Sequence, residues 1–291
     1  MNRTGTISIA ALVFPIMLGG QQPRTEASVP NTITLSFTFF AARYGGWLAT
    51  AFDSIPAGQY SYRPTPAQQS IGYIAQHLEG ANYGLCERLG AMKHVTSARD
   101  SLPDAVKAAW PKDTLVARLR ASLAFCDSAL AQLTDANLDD PVPYGPSGSG
   151  ITARPARSLL LFVTDLAEHY SQVATYMRLI GVIPPSALPP RPRTAIDLPT
   201  AVLLQYVGRY DLPPSVLQDA PAFLLEVTSK DSGLYLKPGG RPAVRLWPET
   251  ATDFFVKEVD AQITFIKDAS GVITGLVLHQ NGENRAAGKR R

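Results

Sequence analysis

Residues 158–185, SLLLFVTDLAEHYSQVATYMRLIGVIPP, decide how this chain folds. Apolar residues recur there at three- and four-residue intervals, the period of an α-helix with one buried stripe. Pro155 lies near its start, and Gly181 with Pro184-Pro185 stops it. Asp165 and His169 are four residues apart, about 40° around the helix axis, so they share a face. A second apolar stretch, QQSIGYIAQHLEGANYGLC (68–86), carries His77. The chain has only four histidines, and two of them, with one carboxylate, are placed to converge inside a bundle.

Working outward, helical spacing covers 34–54 (around FFAARYGGWLATAFDSI), 67–92, 112–133 and 155–181. Four helices of this length, each with an apolar stripe, predict a four-helix bundle over 34–183. DDPVPYGPSGSG (139–150) is a loop by composition. PPSALPPRPRTAIDLP (184–199) is too proline-rich for a helix and predicts a stiff extended linker over 184–198, where a domain boundary falls. Beyond it, FLLEVTS, SGLYLKPGG, AVRLWP, DFFVKEV, AQITFIKDASG and VITGLVLHQNG read as strands punctuated by glycines. The fold class is therefore α+β with two domains, the second an antiparallel sheet over 199–291 that must close or roll to protect its edges.

The amino terminus reads as an export signal over 1–22: Arg3 precedes ISIAALVFPIMLGG, whose apolar run is too short for a comfortable membrane span. Residues 23–33 read as a disordered tether, and the mature protein is expected in the periplasm or outside the cell, with no membrane span after signal removal. Net charge is +3 with dispersed basic residues, which excludes a nucleic-acid-binding stripe; the terminal Arg285, Lys289, Arg290 and Arg291 read as a solvated end. Export bears on Cys86 and Cys126, which fall on the second and third long helices without metal-knuckle spacing. They form either a disulfide or two separately buried thiols.

Two resemblances follow from these residues. AFDSIPAGQYSYRPTPAQQSIGYIAQHLEGANYGLC (51–86) with EHYSQVATYMRLIGVIPP (168–185) resembles the DinB/YfiT family of helical-bundle metalloenzymes over about 35–186. That likeness implies a metal-binding histidine triad: His77 matches the first member and His169 the last, while Asp165 stands where the family commonly has histidine. VGRYDL, SGLYLKP, TDFFVKEVDAQITF and GVITGLVLHQNG are similar to a domain of unknown function often appended to serine-β-lactamase-like proteins, over about 199–288. This second likeness implies a small lipocalin-like antiparallel barrel. No S-x-x-K nucleophile accompanies it, since Thr228-Ser229-Lys230 has the wrong spacing.

Imidazole and carboxylate suit a divalent transition metal (Zn, Ni, Fe or Mn), and three protein ligands leave positions for water or substrate. Tyr73, one turn before His77, and Gln172, three residues after His169, are the candidates for orienting a ligand. Gly80, Ala81 and Gly84 either let helices pack closely or leave room above the metal. Glu168, rotated about 100° from His169, reads as a surface carboxylate. His94 and His279 read as polar surface residues, and Trp47, Trp110 and Trp247 as packing residues. Two functions stay open: an exported metal-dependent hydrolase or thiol transferase acting on a small molecule, or a non-catalytic binding or scaffold protein with a degenerate site. The substrate and the oligomeric state are open as well.

Overall fold

The computed structural model describes residues 31–290 except 91, 147, 190, 216, 218 and 219. The signal reading for 1–22 lies outside the described residues, as does most of the tether. The tether's last two residues are helical, because α1 (Thr32–Ser54) begins before residue 34. Ala41, Gly45, Leu48 and Phe52 form the buried stripe of α1 at three- and four-residue spacing. Its amino end is capped from elsewhere: the Asp135 carboxylate accepts the Ile33 and Thr34 amides at 3.0 and 2.8 Å. Asn31 Oδ1 accepts the Asp135 amide in return.

The second long helix, α2 (Ile71–Cys86), is shorter than its apolar pattern predicts, since Ser70 caps it through the Tyr73 amide. It buries Ile71, Ile74, Ala75 and Leu78. A short α3 (Asp104–Ala108), which the hydrophobic period does not reveal, leads into α4 (Lys112–Leu130). The stretch 139–150 contributes a minimal hairpin, β1 (Val142–Pro143) with β2 (Thr152–Ala153). Helix α5 (Pro155–Leu179) follows; its carboxyl end is a Schellman motif in which Gly181 takes φ +76° and the Val182 amide reaches Met177 O at 2.8 Å.

Helices α1 and α2 each pack on both α4 and α5, giving a four-helix bundle with α3 as an accessory. Cys86 at the end of α2 and Cys126 on α4 are bonded, with Cα atoms 5.2 Å apart.

Residues 184–199 are less free than their composition predicts. Arg191 and Arg193 both pair with Glu249, and the Ile196 amide donates to Pro248 O at 2.9 Å, so the segment lies along the second domain. After α6 (Thr200–Leu203), eight strands close a barrel: β3 (Gly208–Leu212), β4 (Phe223–Lys230), β5 (Gly233–Pro238), β6 (Val244–Pro248), β7 (Asp253–Phe255), β8 (Ala261–Lys267), β9 (Ile273–Gln280) and β10 (Glu283–Lys289). Every pairing is antiparallel between chain neighbours, and β10 closes on β3. Closure removes the edges that a meander would otherwise expose. The β9–β10 turn puts Asn281 at φ 55° and Gly282 at φ 80°, the positive pair that a tight hairpin requires.

Two separate cores result. The bundle core centres on Leu48, Phe52, Leu78, Leu119, Phe162 and Leu166; the barrel core centres on Tyr206, Tyr210, Phe254 and Phe265 with aliphatics around them. The domains touch where Arg43 of α1 donates to Asn281 O at 2.9 Å. No described helix is long and apolar enough to cross a membrane.

Candidate metal centre

Antiparallel α2 and α5 bring three donors to their seam. His77 is half-exposed on the outer face of α2, opposite Asp165 and His169 on α5. One ligand atom from each residue lies within 4.8 Å of the other two. Asp165 Oδ1 stands 3.5 Å from His169 Nε2 and 3.9 Å from His77 Nε2, ion-pair distances rather than good hydrogen bonds. Donors at first-shell distance around one tetrahedral ion are about 3.4 Å apart, so these three need only a small contraction to share one.

The electrostatics favour a charged carboxylate. Burial pushes Asp165 up, but His169 and His77 outweigh it and hold the carboxyl at about 2. Burial pushes His169 down, yet Asp165 beside it more than compensates, leaving its pKa above the ordinary histidine value. The Oδ2 atom of Asp165 is buried without a hydrogen-bond partner among the described residues. An ionised oxygen left in that state is costly, which fits a position built to face a cation.

The neighbours fix the imidazoles. With its proton on Nδ1, His169 donates to Gln172 Oε1 at 3.2 Å, and Gln172 Nε2 donates to the Tyr176 hydroxyl at 3.1 Å. That arrangement turns the Nε2 lone pair of His169 toward Asp165. The Tyr73 ring lies parallel to His77, with centroids 6.4 Å apart and planes 8° from each other. Tyr73 also lines a cavity of about 980 Å³ formed with Tyr60, Arg63, Trp110 and Lys112 at the amino end of α2. Glu168 is exposed and is not among the clustered donors. A Cβ added at Gly80 or Gly84 would meet nothing within 4 Å, so these glycines leave the seam open beyond His77.

The remaining histidines sit elsewhere, and neither is a plain surface residue. His94 is partly buried, stacked on Tyr83 at 4.3 Å with Nδ1 2.8 Å from Glu87. His279 joins Thr264 and Asn284 on the outside of the barrel. Trp47 and Trp110 pack against the bundle core. Sequence reasoning missed a buried ion network on the opposite side of α2, where Arg118 bridges Glu79 and Asp100. The signal available was Glu79 itself, a charge placed on the apolar face of its helix.

Fold and site together define a two-domain protein: a four-helix bundle with a His–Asp–His cluster in one seam, followed by a closed eight-stranded barrel. Residues 47–173 match the DinB superfamily, and residues 192–289 match a domain of unknown function, DUF3471. The chain thus carries a DinB superfamily domain followed by a DUF3471 domain. It is 31% identical over 109 residues to penicillin-binding protein 4* of Bacillus subtilis, a match covering 35% of this chain and 22% of that protein. The chain therefore spans less than a quarter of that relative. A DinB-like protein from Bacillus cereus is similar in structure at 17% identity and TM-score 0.38, covering 49% of this chain and 89% of the other. A mycothiol-dependent maleylpyruvate isomerase is similar at 11% identity and TM-score 0.37, covering 48% of this chain and 59% of the other.

Proposed function

We propose that this is an exported metalloprotein in which His77, Asp165 and His169 hold one divalent transition-metal ion, and that the bundle works as a hydrolase or thiol transferase on a small substrate. The observation that carries this reading is the convergence of His77 Nε2, His169 Nε2 and Asp165 Oδ1, on a carboxylate whose other oxygen, Oδ2, is buried with no hydrogen-bond partner among the described residues. The DinB superfamily match supports it. A bound ion supplies Lewis acidity, which polarises an ester or amide carbonyl or stabilises a thiolate.

The protein's own residues do the rest. Gln172, braced by Tyr176, keeps the His169 ring from rotating. Tyr73 flanks His77 on the side of the amino-terminal cavity, and Gly80 and Gly84 leave the other side free for a ligand. The Cys86–Cys126 bond supports export, since such bonds persist in oxidising compartments.

Metal analysis of the purified full chain tests the assignment. Wild-type protein is expected to hold about one equivalent of metal, because two imidazoles and a carboxylate form one three-ligand site. His77→Ala and His169→Ala are expected to lose it, whereas Asp165→His keeps or tightens it by adding an imidazole. Unchanged metal content in His169→Ala would refute the site. Wild-type protein free of metal after dialysis against each candidate ion would favour a binding or scaffold role.

A further inference from the structure

The seam that holds the three donors continues along α2 and α5 to a second feature. His77 and Gly84 share one face of α2, and Arg88 follows in the turn just past its carboxyl end, where the chain continues in roughly the same direction. On α5, Arg157, Leu161, Asp165 and His169 run down one ridge at four-residue steps. Since the helices are antiparallel, Arg88 faces the Arg157 end. There, Arg88, Tyr144, Arg154, Arg157, Ser158 and Leu161 help to line a cavity of about 470 Å³, which is large enough for part of a small ligand.

The polar groups of this cavity are incompletely satisfied. Arg154 is neutralised by Asp139. Arg88 stacks over the Tyr144 ring, its Cζ 3.9 Å from the centroid, and donates to the Tyr144 hydroxyl, but among the described residues no carboxylate balances it and its buried Nε has no partner. Arg157 makes no ion pair among the described residues. Ser158 is only 3% exposed, and its hydroxyl makes no hydrogen bond among the described residues. Two guanidiniums without a carboxylate partner among the described residues, together with the Ser158 hydroxyl, are the donor set for an oxyanion.

We propose that this cavity is an anion subsite, binding the carboxylate or phosphate end of an elongated substrate whose other end lies at His77, Asp165 and His169; the second half of this statement rests on the metal reading. Helix rise places Arg157 about 12 Å from Asp165 and Arg88 about 16 Å from His77, so the substrate spans on the order of 12–16 Å. Gly80 and Gly84 floor the intervening seam without side chains to block it.

Calorimetric titration of the full chain with inorganic phosphate tests the subsite, using metal-free His77→Ala protein so that no ion competes for the probe. Phosphate is expected to bind this protein, and adding Arg157→Gln should weaken it about tenfold, the loss of one charge-assisted contact. Ser158→Ala gives a smaller loss. Arg157 is exposed and unpaired, so its replacement leaves the fold intact, which the melting curve verifies. No phosphate binding, or equal binding with and without Arg157 and Ser158, overturns the subsite while leaving the metal reading untouched. Phosphate binding that depends on Arg157 in a wild-type chain that never takes up metal upholds the subsite and rejects the metal reading alone. In metal-loaded wild type, straight-chain α,ω-dicarboxylates of increasing length should tighten once they span both sites, and Arg157→Gln should abolish that gain. A length series without any gain overturns the elongated-substrate half.

Discussion

The barrel and the bundle fill their interiors differently. Inside the barrel, Tyr206, Tyr210, Phe254 and Phe265 pack with ring centroids 4.5–5.9 Å apart, and the Tyr206 and Tyr210 hydroxyls are discharged onto backbone carbonyls. The bundle buries Gln76, Glu79, Asn82, Ser122, Ser158 and His169 alongside its aliphatics. Some of these are packing devices with partners, such as Asn82 Nδ2 on Ser122 Oγ at 2.9 Å and Glu79 on Arg118. The unpartnered atoms on charged groups of the bundle, Asp165 Oδ2 and Arg88 Nε, both belong to the α2/α5 seam. Burying a polar atom without a partner costs stability, and the barrel carries such atoms too, Trp247 Nε1 and Arg285 Nε. The barrel is closed and filled by its own side chains.

The strongest way to break this contrast is to damage one domain and read the other. Phe265→Ala removes a ring that is 2% exposed and touches three aromatic neighbours, and it should cost the barrel about 3–5 kcal/mol. Metal content and hydrogen-exchange protection in α2 and α5 should not change; loss of both together would mean that the two cores are one cooperative unit. Next in size is the disulfide. The bond between Cys86 and Cys126 closes a loop with a sequence separation of 40. Replacing both cysteines by serine should cost about 4 kcal/mol in the chain-entropy estimate. Amide protection should fall in α2 and α4 while β8 and β9 keep theirs. Equal losses in the two domains would erase the distinction.

The sequence shows some of this and hides the rest for physical reasons. Asp165 and His169 are four residues apart, so helical geometry alone puts them on one face. His77 lies on another helix far away in the chain, and no period links it to them; family likeness did so. The turn that closes β9 onto β10 is legible in Asn281-Gly282, whereas the closure of β10 on β3 depends on pairings across the whole domain. Proline content made 184–199 read as a stiff extended linker and said nothing of what it lies against, because composition carries no information about Glu249, which anchors Arg191 and Arg193. Arg88 and Arg157 escaped notice for the same reason: each is an ordinary surface-type residue, and only the packing of α2 on α5 leaves them around one cavity. Helix α3 is too short to display a hydrophobic period.

The smallest expected effect concerns how each domain holds its ends. The barrel closes its hairpins with local turn residues, whereas α1 depends on a carboxylate more than a hundred positions away, since Asp135 accepts the Ile33 and Thr34 amides. Those amides are among the four that an α-helix leaves unpaired at its start, and the helix dipole adds to the attraction. Burial pushes the Asp135 carboxyl up, but the Thr34 and Ile33 amides together outweigh it and hold the carboxyl below its ordinary value. The folded pKa is therefore lower than the unfolded one. The stabilisation is complete above the unfolded value of about 3.9 and fades as pH falls through the depressed folded value. Asp135→Ala should cost about 1 kcal/mol at neutral pH, the usual worth of a lost cap. Amide exchange at Thr34 and Leu35 should quicken in the variant at pH 7, and the difference from wild type should shrink as both are acidified below the carboxylate range. Exchange in the β9–β10 turn, read in the same experiment, should not respond to the substitution at any pH. A variant whose exchange at Thr34 matches wild type at neutral pH would show that α1 holds its own end, as the barrel hairpins do.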